Sequence, residues 1–244
     1  LAEIFFIMLP KLFEINKEMR HKDIGEFKYT EDVLMSLHPY HVILLAKNQK
    51  GLKDLYKIVS DVSIKHLSKV GNPLLLKSVL NEYRDDILVG SACLNSKLFE
   101  VASTKSISKL EEVIDEYDYI EVQPPMVYSY LVNKGQIDDL DEVKSIIKDI
   151  IYTAKRKNKL VVATSDCHYV SKEDKIFRDI MIANKGLRNI RHPLCLMPRD
   201  NDSEEEKNKY YKNPIPNPDQ MFLSTDEMKE AFSFLNDDKL IDEI

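Results

Sequence analysis

Asp166 and His168 stand two residues apart in ATSDCHYV (163–170), at the end of an apolar run, and pair a carboxylate with an imidazole. In extended chain, residues i and i+2 point to the same side, so the two groups are expected to converge at the C-terminal end of a strand. Open α/β sheets and barrels place their sites at that end. Oxygen and nitrogen donors together suit a divalent cation such as Zn²⁺, Mn²⁺ or Fe²⁺. The plainer alternative is an Asp that caps the next turn beside a hydrogen-bonded His, and spacing alone does not choose between them. Cys167, between the two, should face the other way as a small buried hydrophobe.

Cys93 closes a second apolar run, ILVGSAC (87–93), in which Gly90 and Ser91 would let backbone approach closely. A Cys at a strand end is usually core packing. A thiolate at the same kind of end as Asp166 and His168 would instead bias a metal site toward zinc or iron and away from Mg²⁺. His41 opens the run HVILLAK (41–47). In a parallel sheet a strand's first residue lies at the opposite end from its last, so this geometry argues against convergence of His41 with Asp166. His21, His38, His66 and His192 have no partner at ligand spacing and read as structural.

Glu121 and Gln123 alternate along one face of YIEVQPP and could support a site from behind, whereas Lys155, Arg156, Lys157 and Lys159 complement a helix C-terminus. A Gly-rich phosphate loop, a GxSxG elbow and an HExxH pair are all missing, so nothing supports a P-loop or serine-hydrolase reading.

The elements that must position these residues alternate in type. Strand-like runs at 41–47, 87–93, 118–124 and 159–166 alternate with helix-like runs at 51–70, 106–117 and 141–157. This pattern predicts βαβ units and a mainly parallel α/β sheet or barrel. Four strands are too few to close an eight-stranded barrel. Residues Leu1 to Met19 carry apolar positions at helical spacing and predict a helix interrupted at Pro10, followed by a connector with a brief helix near 31–37 and a boundary near residue 40. Ser171 should cap a helix running to about Gly186, residues 197–220 should form a long exposed loop, and Ser224 or Thr225 should cap a last helix over 224–235. The chain of 244 residues carries a formal charge of −6, which argues against a main role in gripping a phosphate backbone. Three cysteines without CxxC spacing fit a reducing cytoplasm, and the apolar start is too short and too interrupted for a signal peptide or a membrane span.

Several of these segments together resemble the PHP (polymerase and histidinol phosphatase) domain of PolC-type bacterial DNA polymerase III alpha subunits. HVILLAKNQKGLKDLYKIVS, YRDDILVGSAC, DYIEVQPP, VVATSDCHY, EDKIFRDIMIA and FLSTDEMKEAFSFL match that domain in order, over roughly residues 36–244. The resemblance implies a distorted (β/α)₇ barrel, incomplete in this chain, with a cluster of up to three divalent metals. It places Asp166 and His168 on the final D-x-H motif, Cys93 on a central ligand position and His41 on the ligand before LLAKN. The family's remaining ligands lie in a first half of the domain, separated from the second by an inserted exonuclease domain, and LAEIFFIMLPKLFEI resembles the last helix of that exonuclease.

The implied organisation is an exonuclease-like helix at 1–22, a linker at 23–40, the second half of the PHP domain at 41–196, an exposed loop at 197–220 and a closing PHP segment at 221–244. The implied parent is a replicative, Mg-dependent DNA-directed DNA polymerase with an associated 3′-5′ exonuclease, partnered by DNA, a sliding clamp and other replisome proteins. This segment would be its metal-binding structural module, inactive alone. Two other readings are a metal-dependent phosphoesterase and a scaffold that the metal merely stabilises.

Overall fold

A computed structural model describes residues 2–7 (backbone), 39–65, 73–104, 106–184, 194, 195, 198, 203–205, 207, 208 and 217–244. The chain divides into two compact units, one of Leu1–Glu121 with Thr153–Leu160, the other of Val122–Tyr152 with Val161–Ile244.

The first unit is built on strands β1 (Ala2–Ile7), β2 (Pro39–Ala46), β3 (Leu74–Leu76), β4 (Ile87–Gly90) and β5 (Tyr119–Val122), laid side by side in the order β3-β1-β2-β4-β5. β1 is parallel to β3 and antiparallel to β2, β2 is antiparallel to β4, and β4 is parallel to β5. Four of these strands therefore run one way and β2 alone runs against them. The sheet is open and mostly parallel, as the alternating pattern predicts. Val42, Leu44, Leu75, Ile87 and Val89 are buried within it, in the continuous apolar runs expected of strands covered on both faces.

Helix α1 (Gln49–Lys65) follows β2. Asn48 accepts the Gly51 N–H at its start (2.9 Å), and Leu55, Ile58 and Val62 at helical spacing form its buried stripe. Burying each such side chain contributes about 1.5–3 kcal/mol. Short helices α2 (Lys77–Asn81), α3 (Lys97–Thr104) and α4 (Ile107–Ile114) follow β3 and β4.

Two expectations are corrected in this unit. The helix predicted over Leu1–Met19 begins instead as strand β1, paired with β2 along its whole length from Ala2↔Leu44 to Ile7↔Pro39. Its residues IFFI (4–7) are β-branched and aromatic, and over so short an apolar run the period does not separate strand from helix. The remainder of that expected helix, the brief helix near 31–37, and His21, His38, His66 and His192 lie outside the described residues. β3 is the second surprise: its three leucines follow a proline and are too short to register as a strand.

Helix α5 (Ser129–Asn133) is followed by the long α6 (Leu140–Arg156). α6 buries Val143, Ile146, Ile147, Ile150 and Ile151 and carries Asp141 and Glu142 at its start and Lys155 and Arg156 at its end, as the helix dipole favours. In the second unit, Thr164 N–H donates to the Val122 carbonyl (3.0 Å), joining the exit of strand β6 (Leu160–Ala163) to the tail of β5. Gln123, buried, donates to the Thr164 hydroxyl (3.0 Å) and accepts from the Tyr128 hydroxyl (2.6 Å), so its role is to brace this junction.

Ser171 and Asp174 form a capping box ahead of helix α7 (Lys175–Ala183), and Ser224 with Glu227 forms another at helix α8 (Thr225–Ala231), both where the sequence predicts a start. The chain closes with α9 (Asp238–Glu243). The loop expected over 197–220 is not uniformly exposed: residues 204, 205, 207 and 208 are helical, while Pro218 and Gln220 are buried.

Candidate metal-ligand sites

At the exit of β4, Ser91 is fully buried and its hydroxyl accepts the Glu121 N–H (2.8 Å), tying the ends of β4 and β5 together. Ala92 then adopts a left-handed conformation with φ 59°. That conformation costs an L-residue roughly 1–2 kcal/mol, so packing must hold it there. The turn ends the strand three residues before Cys93 and swings the thiol out of line with β4, and Ser96 N–H closes the loop on the Cys93 carbonyl (2.9 Å).

His41 meets it there. Its Nδ1 lies 3.3 Å from Cys93 Sγ, and its backbone N–H donates to the Asn95 carbonyl (3.1 Å). The expectation that His41 sits at the wrong end of the sheet is overturned. Because β2 runs against its neighbours, Ile43 stands opposite Gly90, and the first residues of β2 extend past the last residues of β4. The objection holds for a parallel strand, and among the described strands of this unit β2 is the one that is not parallel.

An imidazole and a thiol so placed fit a soft divalent cation. With Zn–N near 2.0–2.1 Å and Zn–S near 2.3 Å, two ligands of one tetrahedral zinc stand roughly 3.5 Å apart. The observed separation equally makes a hydrogen bond between the two groups. Two tyrosines lie on the neighbouring strand positions, Tyr40 next to His41 in β2 and Tyr119 opposite Gly90. Burial, reinforced by the neighbouring Glu100 carboxylate, pushes the Tyr40 phenol up to about 12, and its hydroxyl donates to Glu100 (3.1 Å). Burial and then the Glu121 charge raise the Tyr119 phenol as well. The Tyr119 ring occupies the space over Gly90, where a Cβ would come within 2.3 Å of it. Gly90 is therefore required by close approach, as its place in the sequence suggests.

The exit of β6 is arranged differently. The strand ends at Ala163, and Asp166 has φ 46°, so residues 164–168 are not extended and the i, i+2 argument fails. The Asp166 carboxylate accepts from Gln220 Nε2 (2.8 Å) and lies within the electrostatic reach of Arg178. Burial pulls the Arg178 guanidinium down, and Asp166 is the leading influence opposing that fall. The Gln220 amide thus already holds this carboxylate.

His168 is exposed, with Nδ1 2.7 Å from the Asp166 carbonyl oxygen. A carbonyl only accepts, so Nδ1 is the donor in this contact, and in a neutral ring that leaves Nε2 as the nitrogen able to bind a metal. Cys167 is exposed, with its Sγ 3.2 Å from the Tyr169 carbonyl, so it is not the buried hydrophobe expected of it. The left-handed turn at Asp166 is what displaces it. Gln220 is the residue that sequence reasoning missed: besides bonding Asp166, its carbonyl accepts the His168 N–H (2.7 Å).

The four candidates divide evenly, His41 and Cys93 in the first unit, Asp166 and His168 in the second. Among the described residues, no three His, Cys, Asp or Glu side chains gather into a group that would hold a metal ion. Nor, among those residues, is any helix long and apolar enough to cross a membrane. The basic residues at the end of α6 are absorbed by the fold: Lys157 pairs with Asp115 (2.6 Å), Arg156 with Glu111 (3.4 Å), and Lys159 donates to the Tyr117 carbonyl (2.5 Å).

The chain is 37% identical over 221 residues to DNA polymerase III PolC-type of Bacillus subtilis, an alignment covering 90% of this chain. It is 36% identical over 234 residues to the protein of that name from Lactococcus lactis, and 34% identical over 238 residues to that from Staphylococcus epidermidis, covering 93% and 98% of this chain. The chain is homologous to PolC-type DNA polymerase III. It spans 14–15% of the length of these PolC-type relatives.

The sequence profile of the PHP domain matches residues 13–123. The PHP match includes His41 and Cys93, together with the segment 13–40 read above as an exonuclease helix and linker, and it ends before Asp166 and His168. PolC homology itself continues beyond it, over nearly the whole chain. The open, mostly parallel sheet agrees with an incomplete PHP-type barrel.

Proposed function

We propose that this chain is part of a replicative, DNA-directed DNA polymerase of the PolC type, in which it serves as a metal-binding structural module. The observation that carries the reading is homology to PolC-type DNA polymerase III over 90% or more of the chain. The 3.3 Å approach of His41 to Cys93 supports the metal-binding part of it. In this reading the polymerase and 3′-5′ exonuclease centres, the Mg²⁺ that serves polymerisation, and the contacts to DNA, sliding clamp and other replisome proteins belong to the remainder of the polypeptide, which works in the cytoplasm.

His41 and Cys93 would supply imidazole and thiolate to the cation, which the donor set selects as zinc or iron more readily than Mg²⁺. His168, through Nε2, and Asp166 are the further ligands expected of the D-x-H motif, and Asp166 would be the weaker contributor because Gln220 already holds its carboxylate. A cation so held would supply Lewis acidity and tie strand ends together. The chain's own contribution is orientation: Asn95 fixes the His41 backbone, Ala92 turns Cys93 toward it, and the Asp166 carbonyl fixes the His168 tautomer.

Primer extension by the full-length polypeptide on a primed template, with Mg²⁺ and deoxynucleotides, tests the parent function. Template-directed incorporation is expected, and its absence from a folded preparation would refute the reading. For the module, full-length protein should hold zinc stoichiometrically while the isolated 244-residue chain binds it at least tenfold more weakly. Equally tight binding by the isolated chain would show that no ligands are missing from it.

A further inference from the structure

Helix α7 turns its charged side chains inward and its apolar ones out. Ile176, Phe177, Ile180 and Met181, at positions i, i+1, i+4 and i+5 of one helical face, are 60–69% exposed. Together they leave apolar surface on the order of several hundred Å², the size at which an uncovered patch marks an interaction site. The polar residues of the same helix are engaged by the second unit itself. Lys175 donates to the Asn217 and Pro218 carbonyls (2.9 and 3.2 Å) and pairs with Asp219 (3.2 Å). Asp179 accepts from Asn217 (2.9 Å), and Arg178 is half-buried, with its Nε enclosed.

This arrangement decides what the face fits. A phosphate backbone or an anionic membrane surface needs cations on the binding face, and here the helix's Lys and Arg are held on the other side. An apolar protein surface needs none. The chain spans 14–15% of its PolC-type relatives, so a covering surface in the rest of such a polypeptide would be tethered, and tethering supplies a high effective concentration without strong contacts.

We propose that the exposed face of α7 is an interface against another domain of the same polypeptide, which covers it with apolar side chains. The proposal rests on the reading that this chain is part of a PolC-type polymerase.

Oxidation of Met181 by dilute peroxide, followed by peptide mass spectrometry, reads the coverage directly in wild-type full-length protein. At a concentration where sedimentation shows a monomer, Met181 should oxidise at least about tenfold more slowly in the native protein than in urea. A native rate within about twofold of the unfolded rate would mean that the face is open, and would overturn the proposal. Slow oxidation only at concentrations where the protein self-associates would assign the face to a second copy and overturn it equally. Neither result depends on primer extension, so a failure here and a failure of the polymerase reading are told apart.

Discussion

The exits of β4 and β6 both break an apolar strand with a non-glycine residue in the left-handed conformation, Ala92 in one and Asp166 in the other, yet the two turns deliver different things. The first brings a thiol to an imidazole across 52 residues of sequence. The second presents a carboxylate that the Gln220 amide already engages, and a histidine bonded to its neighbour's backbone. A pair of potential ligands aimed at one another is poised for a cation, whereas a carboxylate that already accepts from a buried amide has less to gain from one. Strand-end position is therefore a weaker sign of a metal ligand than the partners the turn provides.

The sharpest way to break this contrast is metal content. In full-length protein, His41→Ala and Cys93→Ser should each lower bound zinc at least tenfold, measured by mass spectrometry after dialysis, whereas Asp166→Asn should lower it no more than about threefold. The reverse order would mean that the β6 exit is the principal site.

Next in size is the packing that shapes the first exit. Gly90→Ala forces a Cβ into the Tyr119 ring and should destabilise the chain by about 1–3 kcal/mol, read as a lower urea midpoint at unchanged slope. An unchanged midpoint would show that the ring moves freely and does not shape the exit.

At the second exit, Gln220→Ala removes the amide from Asp166 and should cost about 1 kcal/mol in the same measurement, provided that bond is what holds the carboxylate. The smallest effect should be a gain. Ala92→Gly relieves the left-handed strain and should stabilise by up to about 1 kcal/mol, because glycine occupies that region without a Cβ clash. A loss would indicate that the Ala92 methyl packing outweighs its strain.

Hydropathy made the sheet legible because burial dictates it: the cores of β2, β4, β5 and β6 fall inside the predicted runs, and the capping boxes at Ser171 and Ser224 are local chemistry that neighbouring residues state outright. Strand direction is not local. Nothing in HVILLAK distinguishes a strand running with its neighbours from one running against them, so the single fact that unites His41 with Cys93 had no sequence signal apart from the family resemblance. β1 was hidden for a related reason, since AEIFFI satisfies either period.

The strand-like runs that end in Cys93 and Asp166 were read three residues too long. Both turns are made by residues other than glycine, which carry no strong mark of a left-handed conformation. Gln220 lay 54 positions from its partner, in a stretch whose prolines and charges read as loop. Only the fold brings it back beside Asp166.

X-ray absorption at the zinc edge of full-length protein asks most directly whether the reversed strand assembles a ligand pair. A sulfur scatterer at about 2.3 Å in the wild type, lost in Cys93→Ser, is the predicted result. A zinc shell of nitrogen and oxygen alone, unchanged by that substitution, would contradict it.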